Sequence, residues 1–167
     1  MGYTIAICDD DKTMADKLTA SLKNEFMKAG RNDVIIDYYD TGVQLLEALK
    51  NKMYKAVLLD INMEPMDGFA VAEAIGKSGY RTKIIFVTSH EDVVYDTFDY
   101  TPFYFIRKSR YETYVQRVVK KLIAIDGYEK TIVLDDKDGI ININSGDITY
   151  VHSEDHYLTV HTADGNS

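Results

Sequence analysis

A single cysteine stands among the 167 residues, so an intramolecular disulfide framework is excluded, and one thiol argues against a metal-thiolate site. That residue, Cys8, lies inside the first apolar run and reads as a small buried side chain. No stretch approaches the roughly 18 consecutive apolar residues of a membrane span, and no basic segment followed by an apolar core opens the chain. Both absences point to a cytosolic protein with no membrane partner. Internal repeats and low-complexity segments are also missing. Basic residues are scarce at one end only: residues 126–167 hold 2 Lys+Arg against 9 Asp+Glu, net −7, whereas residues 1–125 hold 17 against 18, net −1. Nucleic-acid binding depends on Lys and Arg neutralising phosphates, so the acidic tail as it stands is repelled by DNA.

With 46% of its residues hydrophobic, the chain has the length for one typical domain and a remainder too short for a second complete one. Tyr3–Cys8 is mostly apolar and ends in Asp9-Asp10-Asp11, after which Met14, Leu18, Leu22 and Phe26 recur at helical spacing. Strand then helix repeats: Val34–Tyr39 with a helix across Val43–Leu49, Ala56–Leu59 with Phe69–Ile75, and Ile84–Val87 with Val93–Phe98. A fifth strand, Phe103–Ile106, precedes a last helix carrying Tyr114, Val115, Val118, Val119, Leu122 and Ile123. Parallel strands need crossover connections, so five such units predict an α/β fold, a five-stranded parallel sheet with helices on both faces. Beyond Asp126-Gly127 the period changes to two, in Thr131–Leu134, Ile141–Asn144, Ile148–Val151 and Tyr157–His161, with turn signals at Asp138-Gly139, Ser145-Gly146 and Asp164-Gly165. This reads as the opening of an all-β module cut short.

Ligands of open α/β sheets bind beyond the carboxyl ends of the strands. Those ends supply Asp9 and Asp10 after the first strand, Asp60 after the third, Thr88 after the fourth and Lys108 after the fifth. Three carboxylates brought together repel one another unless a divalent cation sits among them or one is protonated. Magnesium favours oxygen ligands and commonly bridges a carboxylate to a phosphate oxygen. Asp60, at an exposed position, then has a metal beside it, and Thr88 and Lys108 to hold phosphoryl oxygens. A solvated turn and a helix N-cap would also account for Asp9, Asp10 and Asp11. A carboxylate closing the apolar run Ala56-Val57-Leu58-Leu59, by contrast, sits at a costly depth without a task.

Residues 1–125 resemble a response-regulator receiver domain through Ile7-Cys8-Asp9-Asp10-Asp11, Leu59-Asp60-Ile61-Asn62-Met63, Met66-Asp67-Gly68, Phe86-Val87-Thr88-Ser89 and Lys108. The resemblance implies a flavodoxin-like receiver in a two-component phosphorelay, with Asp60 accepting a phosphoryl group from a sensor histidine kinase. It implies Mg2+ held by Asp9, Asp10, Asp60 and the main-chain carbonyl of Asn62, with Thr88 and Lys108 on the phosphoryl group and Thr88 and Phe105 as the switch. It implies a homodimer through the fourth and fifth helices, a face to which the run Tyr95, Phe98, Tyr100, Phe103, Tyr104, Phe105 contributes. Two departures stand out. Ser109 follows Lys108 where the family usually has proline after a cis bond, and a cis non-proline bond costs roughly 2.5–4 kcal/mol, so the loop aiming Lys108 is expected to differ. Glu64-Pro65 carries its proline one place later than usual. His90, two residues past Thr88, would lie at the mouth of the site.

After a linker at 126–131, residues 132–167 resemble the start of a LytTR-type DNA-binding domain, through Ile148-Thr149-Tyr150-Val151, His156–Thr162 and Asp164-Gly165. The resemblance implies that the intact protein is a transcription regulator in which His156 is a DNA-contacting position, although this tail alone would not bind DNA usefully. Two other classes compete. A magnesium-dependent phosphohydrolase with Asp60 as covalent nucleophile usually has a second acid two residues on, where this chain has Asn62. A flavodoxin needs a Gly/Ser/Thr-rich phosphate loop where Asp9-Asp10-Asp11 would repel the cofactor. A phosphoacceptor switch that is not an enzyme fits best.

Overall fold

A computed structural model describes residues 2–89, 100–128, 131–136, 139–154 and 157–162. Its order is β1 (Tyr3–Cys8), α1 (Lys12–Lys28), β2 (Val34–Tyr39), α2 (Gly42–Leu49), β3 (Ala56–Asp60), α3 (Gly68–Lys77), β4 (Lys83–Thr88), β5 (Tyr104–Arg107), a 3-10 turn at Lys108–Arg110, and α4 (Tyr111–Tyr128). Four strands follow: β6 (Thr131–Asp136), β7 (Gly139–Asn144), β8 (Ile148–Glu154) and β9 (Tyr157–Thr162). The helix expected at Val93–Phe98, with Tyr95 and His90, and also His156 and Asp164-Gly165, lie outside the described residues. α4 is therefore the helix expected as the fifth.

The first five strands form one parallel sheet in the order β2-β1-β3-β4-β5. Central strands β1 and β3 are buried on both faces, which is why they read as continuous apolar runs. Alternation sorts their side chains. Ala6, Cys8, Val57, Leu59, Ile84 and Phe86 share a core with Leu45 and Leu49 of α2 and Val71, Ala72 and Ile75 of α3. The opposite face takes α1, where Phe26 meets Tyr3 at 5.0 Å between ring centroids, and α4, where Tyr114 meets Tyr104 at 6.4 Å. Helices thus cover both faces.

Helix starts follow local chemistry. Asp11 caps α1 by accepting from the backbone N–H groups of Thr13 and Met14, Thr41 caps α2 through Gln44, and Asp67 caps α3 through Ala70. So Asp11 is the N-cap of the acidic triplet, leaving Asp9 and Asp10 for the rim. Among the described residues the one cis peptide bond is Glu64–Pro65, and Thr101, a β-branched residue, holds φ at +46° directly before Pro102.

Contacts divide the chain into two compact units, residues 1–119 and 120–167. In the second, β6 pairs antiparallel with β7 and β8 with β9, two separate hairpins; Ser145–Asp147 forms the expected turn. α4 runs on to Tyr128, three residues before β6 begins.

Candidate functional site

Strand register assembles the site from residues far apart in sequence. Counting in twos, Ile7 leads to Asp9, Leu58 to Asp60 and Ile106 to Lys108, and Ile7, Leu58, Ile85 and Tyr104 are all register partners along one row of the sheet. The same alternation therefore delivers Asp9, Asp60 and Lys108 to one side of the carboxyl rim. Thr88 and Phe105 have the opposite parity. Phe105 pairs with Phe86 and Thr88 with Arg107, so Thr88 and Phe105 are diagonal neighbours on adjoining strands.

Asp9 is 1% exposed, Asp60 4% and Thr88 1%. Lys108 Nζ donates to Asp60 Oδ2 at 2.8 Å and to Asp9 Oδ1 at 3.1 Å, with its side chain 15% exposed. Asp9 Oδ1 also accepts from the Asp11 N–H at 2.9 Å, and Asp60 Oδ1 lies 3.4 Å from the Asn62 N–H. Burial pushes the Asp60 carboxyl above its ordinary range, reinforced by Asp9 and opposed by Lys108. Burial alone would lower the Lys108 ammonium, but the two carboxylates outweigh it and hold the charge in place.

Asp9, Asp10 and Asp60 each offer an oxygen within 4.8 Å of the others. Lys108 Nζ is 2.9 Å from Asp9 Oδ2, yet that buried oxygen receives no aligned hydrogen bond. Hard oxygen donors, one of them incompletely satisfied, gathered beside a single ammonium fit a small divalent cation such as Mg2+. The donor set would suit thiophilic metals poorly. Cys8 lies directly beneath, 3.6 Å from Met63 Sδ; burial, then Asp9 and Asp60, push its thiol up to about 12, so it is an unreactive core residue.

The scaffold around Asp60 is tight. A Cβ on Gly68 would lie 2.1 Å from the Asp60 carbonyl oxygen, so only glycine lets the start of α3 press against the acceptor's own backbone, where the Gly68 N–H donates to Ile61 O at 2.9 Å. Gly42 plays a similar part between α2 and α3, where a Cβ would meet Val71 Cγ2 at 2.3 Å. Phe69, Phe86 and Tyr100 form an aromatic cluster with centroids 5.2–6.3 Å apart, and Phe105 packs on the same core.

Asp9, Asp10, Asp60 and Lys108 come together at the rim, with Thr88 at the end of the neighbouring strand, and two details differ from the sequence expectation. Asp60 is buried rather than exposed, closing the fully buried strand β3 with the Lys108 ammonium on its carboxylate. Lys108 is aimed without proline: it opens the Lys108–Arg110 turn and Ser109 follows through a trans bond. Tyr38 went unnoticed in the sequence. Its hydroxyl donates to the Asp9 carbonyl at 3.0 Å, and a tyrosine near a strand end carries no pattern that would signal it.

An open parallel sheet bearing an acidic cluster and a lysine at its carboxyl rim defines a receiver-type class of signalling domain. The chain belongs to the response regulator receiver domain family, whose family description matches residues 5–120. It is the receiver of a two-component response regulator. The transcriptional regulatory protein YpdB of Escherichia coli (strain K12) is 28% identical over 90 residues, which are 54% of this chain and 37% of that protein; the chain therefore spans little more than a third of that relative. The sensory transduction protein LytT of Bacillus subtilis is 22% identical over 174 residues, covering 96% of this chain and 69% of LytT. The response regulatory domain of MrkE from Klebsiella pneumoniae superposes with a TM-score of 0.65 at 22% identity, over 73% of this chain and 96% of that one. The response regulator TrrA of Thermotoga maritima, crystallised in complex with Mg(2+)-BeF, gives 0.60 at 28% identity, over 73% and 99%.

Proposed function

We propose that Asp60 accepts a phosphoryl group from the phosphohistidine of a sensor kinase. The carrying observation is Lys108 bridging the buried carboxylates of Asp9 and Asp60, with Asp10 within reach of both. A carboxylate oxygen of Asp60 attacks phosphorus; the new O–P bond forms as the P–N bond breaks, and the departing imidazole takes up a proton. Lys108 pairs with the Asp60 carboxylate, opposing the upward push of burial, and is positioned to pair with a phosphoryl oxygen. Asp9, Asp10, Asp60 and the Asn62 carbonyl would hold Mg2+, which when bound supplies positive charge to the phosphoryl oxygens. Thr88 supplies a hydroxyl for the phosphoryl group. Its movement, coupled to its diagonal neighbour Phe105, shifts the population between two states of the aromatic face.

Output is a homodimer through the face of the fourth and fifth helices expected from sequence, in a cytoplasmic transcription regulator with a LytTR-type DNA-binding domain. Residues 1–125 are the receiver, 126–131 the linker and 132–167 the first part of the output domain; the likeness to LytT along nearly the whole chain and the two hairpins support this. His156 is a DNA-contacting position of that domain. The receiver itself is a switch, not an enzyme.

Intact mass spectrometry after incubation with acetyl phosphate and Mg2+ tests the chemistry. One added phosphoryl mass in the wild type, absent from Asp60→Asn and abolished by EDTA, is the expected result. No adduct on folded protein overturns the assignment, and turnover of acetyl phosphate without an adduct would instead indicate a phosphohydrolase.

A further inference from the structure

The backbone of the acidic loop after β1 is held by β2 at two points, both on Asp9. The Asp9 N–H donates to Tyr39 O at 3.1 Å, extending the β1–β2 ladder one residue beyond the strand. The Asp9 carbonyl, which begins the peptide to Asp10, accepts from Tyr38 Oη at 3.0 Å. The Tyr38 ring is in turn covered by the Lys12 ammonium, 4.6 Å from its centroid, and Lys12 pairs with Asp16 along the first turn of α1. Asp9 is thus fixed by its side chain to Asp11 and Lys108 and by its backbone to β2, whereas Asp10 is exposed. Its placement depends on how the Asp9–Asp10 peptide is oriented.

We propose that Tyr38 is a positioning residue for cation binding: its hydroxyl locks the Asp9–Asp10 peptide and so holds the loop carboxylates in the arrangement that receives Mg2+. This rests on the assignment of Mg2+ to Asp9, Asp10 and Asp60 made above. The hydroxyl touches neither cation nor phosphoryl group; it acts through the peptide alone. Partners one step removed from a metal commonly change its affinity by 10–100-fold when lost.

Mg2+ titration by calorimetry, alongside thermal denaturation, compares wild type, Tyr38→Phe and Tyr54→Phe. Tyr54 is a buried tyrosine that donates to Asp37, outside the acidic loop, and so reports the general cost of deleting a phenol hydroxyl. The expected result is about 10-fold weaker Mg2+ binding in Tyr38→Phe and unchanged binding in Tyr54→Phe. Acyl-phosphate formation by Tyr38→Phe should be slow at low Mg2+ and return to the wild-type rate at saturating Mg2+. Tyr38→Leu removes the hydroxyl by a second route and keeps the test decisive should the phenylalanine ring repack. Equal affinity in wild type and both Tyr38 variants overturns the inference, as does an equal loss in Tyr54→Phe. Absence of Mg2+ binding by the wild type overturns the parent assignment instead.

Discussion

The ammonium of Lys108 donates to Asp60 Oδ2 at 2.8 Å across a separation of 48 residues, and the same nitrogen reaches Asp9. Both carboxylates are almost wholly buried, so the lysine is the counter-charge that makes their coexistence tolerable without metal. Breaking a buried pair from one side costs about 3–5 kcal/mol because it strands the other charge. Lys108→Met is therefore expected to lose about 3 kcal/mol in metal-free buffer, read by urea unfolding. Added Mg2+ should raise its melting temperature by more than it raises that of the wild type, since the cation then supplies the missing charge.

Gly68 and Gly76 sit in one helix with opposite surroundings. Gly68 has the Asp60 carbonyl where a methyl would go; nothing lies within 4 Å of the corresponding position on Gly76. Gly68→Ala should destabilise by about 1–3 kcal/mol through overpacking against backbone, and should also slow adduct formation at Asp60. Gly76→Ala should be neutral to stabilising by up to about 1 kcal/mol, by removing backbone entropy from the unfolded chain. Paired melting curves and adduct kinetics decide both.

Asp37 carries a pH prediction. Burial would raise its carboxyl, but hydrogen bonds from Lys52 and Tyr54, each at 2.5 Å, outweigh burial and hold it below the ordinary value. A depressed folded pKa contributes stability that is present above the unfolded carboxylate value of about 4 and is lost as pH falls through the folded value. Asp37→Asn should therefore be less stable than wild type at pH 7, with the gap closing toward pH 3. Urea titrations at pH 7, 5 and 3 would show it, and a constant gap would count against the ion-pair account.

Thr101 at φ +46° holds a backbone conformation that β-branched residues rarely adopt. Thr101→Gly should recover about 1 kcal/mol of that strain, less the entropy glycine adds to the unfolded chain. An increase in denaturation midpoint is expected, and a decrease would mean that the threonine side chain earns its place through packing.

Much of this architecture was legible because the central strands are buried on both faces. Ala56–Leu59 and Ile84–Val87 are continuous apolar runs, and a polar residue closing each one marks the rim where ligands bind. Asp9, Asp60, Thr88 and Lys108 could therefore be gathered from topology alone. The acidic triplet was harder, because a cap and a ligand call for the same residue type; Asp11 proved to be the cap. What sequence could not reveal depends on non-local packing. The pairing of Asp60 follows from Lys108 reaching it across 48 residues, Gly68's necessity from a carbonyl eight residues away, and Tyr38's hydrogen bond from β2 lying beside β1. None of these leaves a periodic trace.

β3 is buried at all five of its positions, with Gly68 pressed against the carbonyl of its last residue. Mechanically the strand is an anvil. If Asp60 is modified as proposed, added bulk or charge would meet a support with little room to recoil, and the load would pass toward the ends of β4 and β5, where Thr88 and half-buried Phe105 stand. A softer strand would absorb such a load locally.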